Sequence, residues 1–322
     1  MSYKPIILVA GEPNSIFFEI LFKVLKTKKI KSPLILIASY KILSLQMKRL
    51  NFKINIKLLD FKKINDYKLN NSSINLINVN YNQKKAFEKI SDKSNNYIRK
   101  CFEMAIFLIK TNFSNRLING PISKKNFLKN KFLGITEFFA QKFKKKKIAM
   151  LIYNKNLSVC PVTTHLPLKK VSKTINRELI TEKVLLIDNF YKIFIGYKPK
   201  IALTGLNPHC ESISNFNEDE KIIKPAIKSL VKRKFKVSGP YPADTIFLKK
   251  NRKKFDVILG MYHDQVLSPI KTLFEYDAIN ITLGLPFVRI SPDHGPNEKM
   301  VGKNVSSPLS LYKAISFLER VK

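Results

Sequence analysis

Short apolar runs separated by polar turns recur along the whole chain. Runs over 5–10, 33–38, 54–59, 74–79, 115–119, 148–153, 157–162, 199–204, 255–260 and 279–282 have the length and composition of buried strands. Stretches between them carry apolar residues at helical spacing. From Lys85 to Lys110 these are Phe87, Ile90, Ile98, Phe102, Ala105, Ile106 and Ile109. Glu178 to Ile195 and Asp219 to Arg233 follow the same rule, and Ser307 to Arg320 opens on a Ser-Pro helix-start signal. This alternation predicts an α/β fold with largely parallel sheets and helices on both faces. A length of 322 residues corresponds to about two domains. A crossing between them is expected near Lys129–Phe132, where a lysine- and asparagine-rich stretch follows the Gly120-Pro121 turn. No repeat of short period and no Gly/Ser-rich linker is present. No two of the ten glycines are separated by a single residue, so the G-x-G-x-x-G dinucleotide fingerprint is absent, as is the P-loop.

The four histidines all lie just past the end of a strand-like run. Leu157–Val162 leads into His165, Lys200–Thr204 into His209, Phe255–Met261 into His263, and Leu285–Ile290 into His294. Ligands of open α/β sheets bind beyond the carboxyl ends of the strands. Imidazoles placed there can converge, and three of them with an open position suit a catalytic divalent metal. The plainer alternative is four unrelated loop histidines, each merely hydrogen-bonded. Asp264, beside His263, either orients a metal-bound imidazole or caps the next helix. Asp244, on the proline-bounded segment Gly239–Thr245, is an acid or a helix cap. Lys271 is one of many surface lysines. Arg289 sits inside an apolar strand and calls for a carboxylate or phosphate partner.

Composition narrows the classes. An apolar fraction of 45% is ample for buried cores. No run approaches the ~18 apolar residues of a membrane span. The apolar start, residues 5–10, is too short for a leader and meets Glu12 at once, so it reads as a first strand. A cytoplasmic protein without membrane contact is expected. Cys101, Cys160 and Cys210 are an odd number without C-x-x-C spacing, which fits reduced thiols. Cys210 adjoins His209, but neighbouring side chains on an extended loop diverge, so it is not expected as a ligand. The net charge of +36 comes almost entirely from scattered lysines, with eight arginines. That is a chain-wide bias rather than a nucleic-acid tract, and Lys144–Lys147 reads as a solvated helix end. The charge still favours anionic small molecules.

Several segments together resemble one family. They are Thr163–Leu168, Gly205–His209, Pro242–Thr245, Met261–Gln265 and Asn280–Phe287, with Gly11-Glu12-Pro13 and Asn119–Ile122 before them. In this order, from about residue 6 to the C-terminus, they are similar to the motifs of the PdxA family, the 4-hydroxythreonine-4-phosphate dehydrogenases of vitamin B6 synthesis. The resemblance implies two α/β/α domains with an interdomain cleft, like isocitrate and isopropylmalate dehydrogenases and unlike a Rossmann fold. The first domain is then expected over 1–130 and 301–322. The second, over 131–300, is expected to carry the metal ligands and a homodimer interface. The resemblance also implies NAD or NADP, with Asp293, His294, Gly295, Gly302, Lys303 and Asn304 in the cofactor-loop region. It implies one divalent ion (zinc, magnesium or cobalt) on His165, His209 and His263, with His263 coming from the partner subunit. Thr136, Lys271, Asn280 and Arg289 match substrate-binding positions.

The implied reaction oxidises the C3 hydroxyl of 4-phosphooxy-L-threonine, passing hydride to the nicotinamide and giving a β-keto acid that loses carbon dioxide. Asp244 and Asp264 remain alternatives for the proton acceptor, and Lys271 stands with the catalytic candidates. Three departures bear on substrate choice. Ile135 replaces a family histidine, Asn14–Phe18 replaces a glycine-rich segment, and Cys210-Glu211 replaces the usual residues after His209. The alternatives are a sister dehydrogenase acting on threonate or erythronate phosphate, a metal-dependent hydrolase, and a basic nucleic-acid-binding protein.

Overall fold

The computed structural model describes residues 3–128, 134–211, 217–292 and 294–321. It divides into unit 1, Met1–Ile135 with Pro286–Lys322, and unit 2, Thr136–Leu285. Unit 1 contains β1 (Ile6–Val9), α1 (Phe17–Thr27), β2 (Leu34–Ala38), α2 (Tyr40–Arg49), β3 (Ile56–Leu58), β4 (Ile74–Asn78), α3 (Asn95–Lys110) and β5 (Arg116–Asn119). Unit 2 contains most of α4 (Ile135–Lys142), then β6 (Ala149–Tyr153), β7 (Ser158–Thr163), α5 (Val171–Thr174), α6 (Arg177–Phe190), β8 (Ile201–Thr204) and α7 (Lys224–Lys232). It continues with β9 (Val237–Tyr241), α8 (Ala243–Ile246), α9 (Lys249–Arg252), β10 (Val257–Tyr262), α10 (His263–Phe274) and β11 (Ile279–Leu283). The chain then returns to unit 1 for β12 (Val288–Pro292) and α11 (Leu309–Arg320).

The strands of unit 1 run in the order β3-β4-β2-β1-β5-β12, and each neighbouring pair is parallel. A strand covered on both faces must be apolar throughout, and Ile6–Val9 and Leu34–Ala38 are buried at every position. In unit 2 the order is β11-β6-β7-β10-β8-β9. Here β7, β10, β8 and β9 are parallel, while β6 is antiparallel to both β7 and β11. Met150, Ile152, Val159, Ala202, Ile258 and Val266 form part of the core under these strands. Among the described residues no helix is long and apolar enough to cross a membrane.

Several local expectations are revised. The helix read from Lys85 begins only at Asn95, after a turn at Asp92–Ser94. Side chains capture the earlier peptide groups: Gln83 Nε2 donates to Lys85 O, Gln46 Nε2 to Ala86 O, and Glu88 N to Asn14 Oδ1. Strand β9 was hidden by Gly239-Pro240, a pair that tells against a strand interior but is tolerated here at the edge of the sheet. The return to unit 1 falls at Pro286 rather than at 301, because β12 pairs in parallel with β5. Arg289 and His294 therefore belong to unit 1. The expected crossing near Lys129–Phe132 lies outside the described residues.

Candidate active site

Three of the four histidines follow three adjacent parallel strands. In the order β7-β10-β8, His165 lies two residues past Thr163, His263 directly after Tyr262, and His209 five residues past Thr204. Neighbouring strands are about 4.8 Å apart, so the same edge of unit 2 carries all three. Side chains lock the strand ends together. Thr163 Oγ1 donates to the Met261 carbonyl at 2.8 Å, joining β7 to β10. Gln265 Oε1 accepts from Met261 N and Thr204 Oγ1, both at 2.7 Å, and its Nε2 donates to the Gly205 carbonyl at 2.8 Å. Gln265 thus joins β10 to β8. Strand β10 passes into α10 without a loop, and Gly260 permits this. A Cβ there would sit 2.3 Å from Val266 Cγ1.

The rings of His165 and His263 lie 5.7 Å apart, centroid to centroid. His263 Nδ1 is 2.6 Å from Asp264 Oδ1. With a carboxylate oxygen as acceptor, Nδ1 is the donor in this contact and Nε2 is the ring nitrogen not engaged by Asp264. This is the arrangement that prepares an imidazole for a metal. Asp264 and Asp244 both lie in the first turn of a helix, α10 and α8, and neither is the capping residue.

His209 is presented differently. It is exposed, and both it and Cys210 hold left-handed backbone angles, with φ of 55° and 63°. Such conformations cost roughly 1 kcal/mol or more each and need outside support. Asp219, fully buried, provides it. Its Oδ1 accepts from Leu206 N at 2.8 Å, and its Oδ2 from Asn207 N at 3.1 Å and Asn207 Nδ2 at 2.9 Å. Gly205 leaves room for this carboxylate, since a Cβ there would stand 2.7 Å from Asp219 Oδ1. Cys210 is buried, and burial first, then the charge of Asp219, raises its thiol pKa, with a smaller push from Asp244. It is a buried packing residue.

A divalent ion fits the kind of donor found here, neutral imidazole with a carboxylate behind it. Among the described residues of one chain, the rings of His165 and His263 are the histidine pair brought together. Among the described residues no group of three His, Cys, Asp or Glu side chains stands close enough to hold a metal.

The expected substrate residues divide between the units. In unit 2, Thr136 Oγ1 lies 3.3 Å from Thr282 Oγ1. Thr282 and Asn280 share one face of β11, and Asn280 Oδ1 is buried with no hydrogen-bond partner among the described residues. Lys271 lies on α10 eight residues from His263, about 12 Å along the helix axis. In unit 1, Arg289 is fully buried on β12, and its Nε donates to Asn119 Oδ1 at 2.7 Å. That partner is a neutral amide oxygen.

Of the cofactor-loop residues, Asp293 lies outside the described residues. His294 Nδ1 is 3.0 Å from the Gly295 carbonyl oxygen, and Gly295 is exposed. Gly302 and Asn304 are left-handed, with φ of 76° and 57°, and flank the exposed Lys303. An exposed cation on such a tight turn suits a phosphate-bearing cofactor. The departing segment Asn14–Phe18 is wholly buried. Its polar groups bond within the protein: Ser15 Oγ donates to the Glu12 carbonyl, and the Asn14 and Gln83 amides bond each other twice.

Gln265, Asp219 and Thr282 were not singled out from the sequence. Gln265 closes the motif segment Met261–Gln265, but nothing in its local sequence marks its partners on β8. Asp219 sits in a charged stretch, Asn217–Lys221, that reads as a solvated helix start.

Comparison with known proteins bears on all of this. A family profile described as "Pyridoxal phosphate biosynthetic protein PdxA" matches residues 29–318. The chain is 38% identical over 324 residues to the 4-hydroxythreonine-4-phosphate dehydrogenase of Sulfurihydrogenibium sp. (strain YO3AOP1), covering 98% of each chain. It is 31% identical over 305 residues to the D-threonate 4-phosphate dehydrogenase of Salmonella typhimurium, covering 92% of each. The crystal structure of 4-hydroxythreonine-4-phosphate dehydrogenase from Klebsiella pneumoniae superimposes with a TM-score of 0.83 at 25% identity, covering 98% of both chains. Isocitrate dehydrogenase from Methylococcus capsulatus shares the fold, with a TM-score of 0.50 at 9% identity over 98% of this chain and 84% of that one.

Proposed function

Since this chain belongs to the PdxA family, we propose that it is an NAD(P)-dependent dehydrogenase acting on 4-phosphooxy-L-threonine. The C3 hydroxyl is oxidised to a ketone, giving 2-amino-3-oxo-4-phosphooxybutanoate. Loss of carbon dioxide then yields 3-amino-2-oxopropyl phosphate, on the route to pyridoxal 5'-phosphate. The observation that carries this reading is the set of three motif histidines following adjacent parallel strands. A divalent ion on His165, His209 and His263 would lower the pKa of the substrate hydroxyl, and the nicotinamide would accept the hydride.

The chain's own residues do the rest. Asp264 fixes the tautomer of His263, and Asp219 holds the turn that presents His209. In unit 2, Lys271 holds an anionic group of the substrate, and Thr136 and Asn280 orient its polar groups; in unit 1, Arg289 is a second candidate for an anionic group. Asp244 is the better candidate for accepting the hydroxyl proton, because Asp264 is already engaged with His263. The resemblance sets His263 apart as the partner's ligand, but its ring lies beside that of His165 within one chain, so the donor set is completed in a homodimer with His209 and His263 supplied by different subunits.

A second reading has a specific observation behind it. Ile135, the first residue of α4, can neither donate nor accept a hydrogen bond where the family carries histidine. A site lacking that group is compatible with a hydroxy-acid phosphate, the substrate class named for the Salmonella typhimurium relative. Nicotinamide reduction by the purified, metal-loaded protein should be measured with 4-phosphooxy-L-threonine, D-threonate 4-phosphate and erythronate 4-phosphate. The highest kcat/KM is expected for 4-phosphooxy-L-threonine. A preference of tenfold or more for either acid phosphate would replace the first reading with the second.

A further inference from the structure

In unit 1 the first turns of α1 form the floor of the 296–306 segment. At one end Ile16 N donates to the Pro296 carbonyl at 3.3 Å. At the other, Lys23 Nζ donates to Glu19 Oε1, to the Asn304 carbonyl and to the Ser306 carbonyl, each at 2.9 Å. All three protons of the ammonium are thereby used. Glu19 Oε1 also accepts from Ser306 N at 2.6 Å. The Glu19 side chain is 2% exposed and that of Lys23 21%, so this is a mostly desolvated pair gripping a backbone. Between the two attachments lie left-handed Gly302, whose Cβ position is closed by the Phe87 ring at 3.2 Å, then exposed Lys303 and left-handed Asn304.

We infer that Glu19 and Lys23 are positioning residues for nicotinamide-cofactor binding, holding the Gly302-Lys303-Asn304 turn in its binding shape from beneath. This rests on the proposed assignment of that turn to NAD or NADP. The pair touches neither cofactor nor substrate. Its effect is to remove the conformational freedom the turn would otherwise lose on binding the dinucleotide.

The test is the double variant Lys23→Met/Glu19→Gln, which removes both charges and leaves no buried carboxylate without its cation. Three quantities are read: the Kd of the reduced cofactor from its fluorescence, kcat and the substrate KM at saturating cofactor, and amide hydrogen exchange at Ser306. The expected result is a cofactor Kd raised about tenfold. Substrate KM and kcat at saturating cofactor should stay within about twofold, with faster exchange at Ser306. Lys23→Arg should recover part of the affinity. Faster exchange at Ser306 with an unchanged Kd would overturn the inference, leaving the pair as a stabilising clasp only.

Lys303→Ala separates the two levels. If it weakens cofactor binding while the double variant does not, positioning fails and the cofactor reading survives. If neither weakens binding, the assignment of the turn fails, and the positioning role with it. Should the double variant not melt cooperatively, Lys23→Gln keeps the stem and one donor, and carries the same prediction with a smaller change.

Discussion

The carboxyl ends of the parallel strands in the two units treat their polar residues in opposite ways. In unit 2 the edge displays them: His209 is exposed, and His165 and His263 are half-buried. In unit 1 the edge consumes them. Glu12, three residues past the end of β1, is 1% exposed, with Asn14 N donating to its Oε1 at 3.1 Å and Ser94 Oγ to its Oε2 at 3.0 Å. Its backbone N donates to the Pro121 carbonyl at 2.8 Å, joining the Gly-Glu-Pro and Asn-Gly-Pro segments. Both edges lie where α/β sheets bind ligands, and both carry family motifs. At these two places the difference is exposure: His209 lies open to solvent, while Glu12 is sealed in. Position at a strand end therefore does not separate chemistry from architecture; exposure of the side chain does.

Substitutions should separate the two edges cleanly. His263→Ala is expected to lower kcat/KM by about a thousandfold, or ~4 kcal/mol in the barrier. The melting temperature of the metal-free protein should stay within about 2 °C. Glu12→Ala should do the reverse, lowering unfolding free energy by about 2 kcal/mol in urea titrations, because it strips partners from a buried amide and a buried hydroxyl. Metal affinity should not change.

Asp219→Asn sharpens the contrast, since Asp219 is buried like Glu12 but supports an exposed histidine. A metal titration should show affinity reduced about tenfold, as for other residues that orient ligands. The smallest effect is a pH slope. Burial raises the Glu12 pKa above its ordinary value, outweighing the hydrogen bonds that lower it. Between the ordinary and the raised value the folded chain binds more protons than the unfolded one, so stability rises as pH falls. Wild type should therefore gain stability relative to Glu12→Gln on acidification through that window. A flat difference in urea midpoints would mean Glu12 ionises there as it does in the unfolded chain.

The placement of the histidines past strand ends was legible, because each follows a run of apolar residues with clear limits. That three of them follow neighbouring strands was not, since β10 inserts between β7 and β8 and strand order is a property of the assembled sheet. The supports were hidden for a related reason. Gln265 is defined by contacts with Thr204 and Gly205, some sixty residues earlier. Arg289 was correctly marked as a buried cation, yet its hydrogen bond to Asn119 spans 170 residues. Local patterns foretold most of the strands. They failed at β9, where Pro240 argued against a strand, and at 85–94, where side chains from distant segments took the helix's hydrogen bonds.

The proposed metal site is shared between subunits, with His209 and His263 on different chains. Complementation in mixed dimers tests it most directly. His209→Ala and His263→Ala subunits, each inactive alone, are unfolded together, refolded and assayed, with subunit exchange verified by mass spectrometry. A heterodimer then has one site carrying both lesions and one carrying neither. Random pairing gives about half heterodimers, so roughly a quarter of wild-type activity should return. If one chain supplies both histidines, every site carries a lesion, and absence of any recovered activity would contradict the shared site.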